Sequence, residues 1–158
     1  MTIHPNIINV DKVKILPITL EAAIEVASNL RSDDFREVVE GHGVNPLEYA
    51  YSISQADSCV YFTMPNGKTA GMAGVEKDGL IWMLCTPVIH EFPFAFARGA
   101  KGFVESRTEP ILHNIVDERN VIHLRLLKFL GFKFFRKIFH GPNNLSFIEF
   151  YRVFRTRP

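Results

Sequence analysis

Between residues 114 and 136 a strand, a short helix, a glycine stop and a second strand follow one another, and this block constrains the fold most. Asn114-Ile115-Val116-Asp117 reads as the incoming strand. Asn120 opens a helix in which Leu124, Leu127 and Leu130, with Ile122 and Leu126 beside them, form one apolar face. Gly131 supplies the left-handed residue that ends such a helix. Phe132 then starts a strand through Lys133-Phe134-Phe135-Arg136. A strand–helix–strand unit this compact must lay its helix on a sheet.

The rest of the chain supplies that sheet. Lys12 to Ile18 alternates polar and apolar residues and reads as a first strand. Thr19 can cap a helix from Leu20 to Leu30, with Ala23, Val26, Ala27 and Leu30 on one face. Ser32 or Asp33 can cap a second, short helix from Asp34 to Val39 or Glu40, which Gly41-His42-Gly43 breaks. Asn45-Pro46 starts a third, since Asn suits the cap and Pro the first helical position. Three strands follow, Cys59–Met64, Thr69–Glu76 and Leu80–Cys85, joined by the turns Pro65–Lys68 and Lys77–Gly79. Pro93 opens a helix from Phe94 to about Arg107, and the last two strands are Lys133–Phe139 and Ser146–Phe154, joined by Gly141-Pro142-Asn143-Asn144. A meander followed by strand–helix–strand predicts an α+β domain with a mixed sheet of six or seven strands and helices on both faces. It spans residues 12–158, after an irregular arm over residues 1–11.

The Asn120–Phe132 block resembles the closing unit of the Gcn5-related N-acyltransferases, which use acyl-CoA. The resemblance extends, in order and spacing, over roughly residues 13–152 to small acetyltransferase-like proteins of tailed bacteriophages, some of them internal virion or morphogenesis proteins. It is carried by Arg31-Ser32-Asp33-Asp34-Phe35-Arg36-Glu37, Gly41-His42-Gly43, Gly74-Val75, Ile81–Thr86, Gly141-Pro142 and Phe147–Phe150. It implies an N-acetyltransferase that moves an acetyl group from acetyl-CoA to an amine of a protein or small molecule. The alternative it implies is a catalytically degraded relative acting in virion assembly through contacts with phage structural proteins. Either would reside in the cytoplasm of an infected bacterium or in the virion.

Acyl transfer to an amine needs a held thioester, a base for the amine, a donor for the oxyanion and help for the leaving thiolate. The resemblance places the acyl arm beside Leu84, Cys85 and Thr86, with a backbone donor at Cys85 or Thr86 for the oxyanion, and near Asn120. Glu37, Glu40 and His42 are the base candidates on the acceptor side. Asp34 and Glu37, three apart on a helix, can set each other's ionisation or simply pair with Arg31 and Arg36. His90 and Glu91 follow the fourth strand and also have access to a cleft. The family's glycine-rich diphosphate loop is missing, because the corresponding helix start carries Glu91 and Pro93. Arg98, Lys101 and Arg125 are the cations that can compensate, unless they form an ordinary solvated face. Leu127 stands where many members have a tyrosine, and His123, one turn earlier, can take over that acid role or simply pack.

Other classes are disfavoured. A net charge of +1 gives no basic surface for nucleic acid, and no run approaches the roughly 18 apolar residues of a membrane span. Cys59 and Cys85 sit in apolar strands and read as buried, reduced thiols. Neither belongs to a Cys-x-x-Cys pair, so no metal is expected. Trp82 reads as a core anchor. Fourteen phenylalanines predict an aromatic core or some apolar surface held for a partner.

Overall fold

The computed structural model describes residues 12–56 and 58–154, so the arm at residues 1–11 lies outside the described residues. The order is β1 (Lys14–Pro17), α1 (Leu20–Ser28), α2 (Ser32–Arg36), α3 (Pro46–Ser54), β2 (Cys59–Thr63), β3 (Thr69–Val75), β4 (Ile81–Cys85), α4 (Pro93–Glu105), β5 (Ile111–Asp117), α5 (Val121–Phe129), β6 (Lys133–His140) and β7 (Leu145–Val153). The caps at α1 and α3 form as expected. Thr19 accepts from Ala22 N–H, and Asn45 accepts from Leu47 and Glu48 N–H ahead of Pro46.

Seven strands form, as the α+β reading requires, in two antiparallel sheets. One has the order β1-β2-β3-β4 and the other β5-β7-β6. A parallel bridge between Leu80 and His113 joins them at the near ends of β4 and β5. Beyond that bridge the two strands part. Helices cover both faces. On one, α1 and α3 bury Ala23, Val26, Ala50 and Ile53 with Met72, Trp82 and Leu84. On the other, α4 and α5 bury Phe96, Val104, Leu126 and Leu130 with Val75, Ile81, Leu112 and Phe150.

Three local expectations change. The Ser32 or Asp33 cap is not used. The helix starts at Ser32 after Arg31, whose side chain makes no capping bond. It then widens into a π-helical turn over Glu37–Gly41, closed by His42 N–H on Glu37 C=O at 2.9 Å. Nor does the Asn120 side chain cap α5. Its backbone carbonyl accepts from Leu124 N–H, while the side chain turns inward. Finally, α5 buries His123, Leu126 and Leu130, leaving Leu124 and Leu127 half-buried.

Candidate functional site

Strand alternation determines which backbone groups face the gap between β4 and β5. Thr86 N–H bonds Ala70 C=O, and Glu76 N–H bonds Leu80 C=O. With the register Met72↔Leu84 and Gly74↔Trp82, the β3-facing groups of β4 therefore belong to even-numbered residues. Those of Ile81, Met83 and Cys85 point into the gap. On β5, Glu118 N–H on Ser146 C=O and Phe154 N–H on Pro110 C=O fix the opposite set, so Ile115 and Asp117 point toward β4.

Most of these groups are already taken. Ile81 C=O accepts from the Asn114 side chain at 2.7 Å, and Asn114 Oδ1 accepts from Ile115 N–H. At the far end Cys85 N–H donates to Asp34 Oδ2 at 2.8 Å, and Cys85 C=O accepts from Arg31 N–H at 2.9 Å. Asp117 N–H donates to Glu37 Oε1 at 2.7 Å. The expected oxyanion donors are therefore unavailable: Cys85 is bound to Asp34 and Thr86 to β3. Between the two stitches lies a window in which Met83 offers an N–H and a C=O, and Ile115 a C=O. Sequence reasoning missed Met83, because no residue type marks a strand's free edge.

The stitch at the open end is a buried polar cluster. Arg31 and Asp34 are 3% and 1% exposed, and Asn120 is 1% exposed. Burial this deep requires that each be paired. Arg31 Nη1 donates to Asp34 Oδ1 at 2.7 Å and to Asn120 Oδ1 at 3.0 Å, and Nη2 to Asp33 at 2.9 Å. Arg31 Nε reaches His90 at 3.4 Å. Asn120 Nδ2 donates to Asp34 Oδ1 at 3.0 Å and to His123 Nδ1 at 3.3 Å. A ring that accepts at Nδ1 carries its proton on Nε2 when neutral. Burial, the largest influence, holds His123 below the usual histidine range and so neutral. Its Nε2 has no hydrogen-bond partner among the described residues and the ring borders the cavity described below. Asp34, Cys85 and His123 bring potential metal-binding atoms within 4.8 Å of one another. The cation beside Asp34 is the Arg31 guanidinium, however, and burial holds the Cys85 thiol well above its usual range.

Glu37 lies on the next turn. Its carboxyl is pushed up to about 8, chiefly by burial, with Asp34 and Asp117 adding repulsion against the hydrogen bond from Asp117 N–H. The other two base candidates diverge. Glu40 is exposed and reaches Arg119 at 3.4 Å. His42 Nδ1 lies 2.9 Å from His140 Nε2, a pairing the sequence did not suggest. Two glycines make it: a Cβ on Gly141 would sit 1.8 Å from Gly41 C=O, so only glycine lets these turns touch. Burial, then His140, lowers His42.

Glu37, His42, His123 and His140 all border one cavity of about 450 Å³. It runs through the gap and on beneath α4 and α5, where its walls are apolar. Leu84 lines it, while Cys85 and Thr86 do not. The compensating cations stay outside it. Arg98 and Arg125 are exposed, and Lys101 faces Glu105 at 3.9 Å and the Phe129 ring at 5.9 Å. Trp82 anchors the other core, edge-on to Tyr49, and both cysteines are buried free thiols.

Solved structures share this architecture. An acetyltransferase of the Gcn5-related family from Streptococcus agalactiae matches with a TM-score of 0.67 at 12% identity, over 91% of this chain and 96% of that one. The ribosomal-protein-S18-alanine N-acetyltransferase from Escherichia coli matches with 0.65 at 16%, over 92% and 96%. An aminoglycoside acetyltransferase solved with coenzyme A matches with 0.60 at 18%, over 90% and 95%. The fold is that of the Gcn5-related N-acetyltransferases. No protein-family model matches the sequence, and no curated protein does.

Proposed function

We propose that this chain is an acyl-CoA-dependent N-acyltransferase, with acetyl-CoA the simplest donor and an amine of a protein or small molecule the acceptor. The window between β4 and β5 carries the reading. Among the described residues one N–H and two C=O groups face the gap without strand partners, and half-buried backbone groups of this kind suit a ligand that bears amides. The arm of coenzyme A is such a ligand, and one of the structural neighbours was solved with coenzyme A.

The roles follow from position and charge. Glu37, with its carboxyl near neutrality, takes the proton of the attacking amine. The amine nitrogen bonds to the thioester carbonyl, and Met83 N–H is the donor available to the resulting oxyanion, which leaves the Met83 and Ile115 C=O groups to accept from the amides of the arm. When the tetrahedral adduct collapses, the carbon–sulfur bond breaks. A neutral His123 gives the departing thiolate a hydrogen bond from Nε2 rather than a proton, which the thiolate takes from solvent. Asn120 sets the His123 tautomer. In place of a glycine-rich loop, the exposed cations Arg98, Lys101 and Arg125 would supply charge to the diphosphate.

A second reading is a non-catalytic protein of phage assembly, working in the host cytoplasm or the virion. The occupied Cys85 N–H favours it, as do Phe135 and Phe139, 66% and 70% exposed on the edge strand β6. Titration calorimetry with acetyl-CoA decides between them. Heat of binding that is lost on substituting Met83 by proline, which has no N–H, supports the enzyme. No heat at millimolar acetyl-CoA supports the assembly protein.

A further inference from the structure

The cavity also opens on the other face of the sheet, away from α4 and α5. Directly opposed residues of neighbouring strands share a face. The register Met72↔Leu84 and Gly74↔Trp82 therefore turns these residues toward α1 and α3, where Met72, Trp82 and Leu84 pack. The Trp82 ring lies across Gly74, where a Cβ would come within 2.8 Å of it. Glu76 stays extended and its N–H bonds Leu80 C=O, so its side chain leaves by the same face. Val38, Tyr49, Glu76, Trp82 and Leu84 border the cavity here, with Glu37 where the two sheets part. Glu37 and Glu76 are the two carboxyl groups on the cavity wall, and among the described residues no lysine or arginine lines it, not even the adjoining Lys77. Glu76 is exposed and forms no ion pair among the described residues. Its charge reaches the Tyr49 hydroxyl, which burial and then Glu76 push up to about 12. The Tyr49 and Trp82 rings meet edge-on at 6.0 Å. A carboxylate near aromatic rings, with no competing cation, suits a positively charged group.

We propose that the acceptor this site selects is a small aliphatic diamine or polyamine, with one amine at Glu37 and a second, charged one at Glu76 beside the Tyr49 and Trp82 rings. The inference rests on the acyltransferase reading above and adds the class of acceptor. The first amine takes the acetyl group, its proton passing to Glu37 as the thiolate leaves. The second keeps its proton throughout and serves to hold the substrate. A methylene stem suits the apolar wall of Val38 and Leu84 between them. A monoamine would use the Glu37 end alone and leave the Glu76 carboxylate without a partner.

The test is release of coenzyme A from acetyl-CoA by the full chain, with 1,4-diaminobutane and 1,6-diaminohexane compared with 1-aminobutane and 1-aminohexane, alongside calorimetry with acetyl-CoA. The better diamine should exceed the monoamine of its own length by about tenfold in kcat/KM, more than two equivalent ends alone would give. Glu76→Gln should bring the diamine down to the level of the monoamine. Glu76 is exposed and holds no other side chain among the described residues, so this substitution spares the fold. Equal kcat/KM for diamine and monoamine in the wild-type chain would overturn the proposal and leave the acyltransferase reading standing. So would a preference that survives Glu76→Gln, since the second charge would then be held elsewhere. Binding of acetyl-CoA with turnover of none of the four amines would overturn the proposal in the same way. No binding of acetyl-CoA would remove the acyltransferase reading itself, and the proposal with it.

Discussion

Glu37 faces two opposed demands. Its hydrogen bond from Asp117 N–H favours the carboxylate, while burial and two neighbouring acids favour the neutral acid, and burial wins. The consequence for stability has a definite sign. The folded state holds a proton on Glu37 up to about 8, whereas the unfolded chain releases it near 4.5. Between those values the folded state binds more protons, so stability falls as pH rises, and levels off above the upper one. Melting temperatures across that window should fall in the wild type. The fall should be smaller in Glu37→Gln, whose amide oxygen still accepts from Asp117. In an assay, acyl transfer should rise with pH with a midpoint near 8 and be lost in Glu37→Gln.

Asn120 makes a different case at the same scale. The family resemblance makes it a cofactor neighbour, and its side chain also holds Arg31, Asp34 and His123 together. Asn120→Ala leaves buried charged groups short of partners and should cost about 2–4 kcal/mol in urea unfolding. A stability unchanged from wild type would show that water replaces the amide. The sequence made Glu37, Asn120 and His123 legible because each stands at a marked place: a short acidic helix, a helix start, one turn further on. It offered Arg31 as a partner of Asp34, which forms, but hid the bonds of Arg31 to Asn120, Asn114 to Ile81 and His140 to His42, which span 89, 33 and 98 residues.

Among elements, α5 shows how a correct helix can be turned somewhat from its expected face, since Leu124 and Leu127 still pack on the core but are only half-buried. Apolar spacing selects Leu124, Leu127 and Leu130. The buried face runs instead through His123, Leu126 and Leu130, because the polar cluster draws His123 inward and rotates the helix with it. Leu126→Ala should therefore cost about 2–5 kcal/mol, and Leu127→Ala clearly less, by denaturant unfolding. The reverse order would mean that α5 is turned back to its apolar-spacing face. The π-helical turn after α2 was equally invisible in the sequence. It depends on the meeting of Gly41 with the β6–β7 turn and on Glu37 reaching β5. By contrast, the β2–β3–β4 meander, the Asn45-Pro46 start and the Gly131 stop all rest on local chemistry, and they form where the sequence places them.

For the molecule as a whole, the parting of β4 from β5 matters most. It divides seven strands into two sheets, and α2 with the π-helical turn after it bridges the opening, through Asp34 on one side and Glu37 on the other. The order of strands and helices was enough to anticipate the α+β fold. How far the two strands separate, and which backbone groups are left in the opening, follows only from register. The most direct test of the central claim is hydrogen–deuterium exchange of the full chain with and without saturating acyl-CoA. Exchange should slow at the amide of Met83, with protection extending to the start of α5 around Asn120 and His123. No change in exchange on β4, with or without protection elsewhere on the surface, would contradict it.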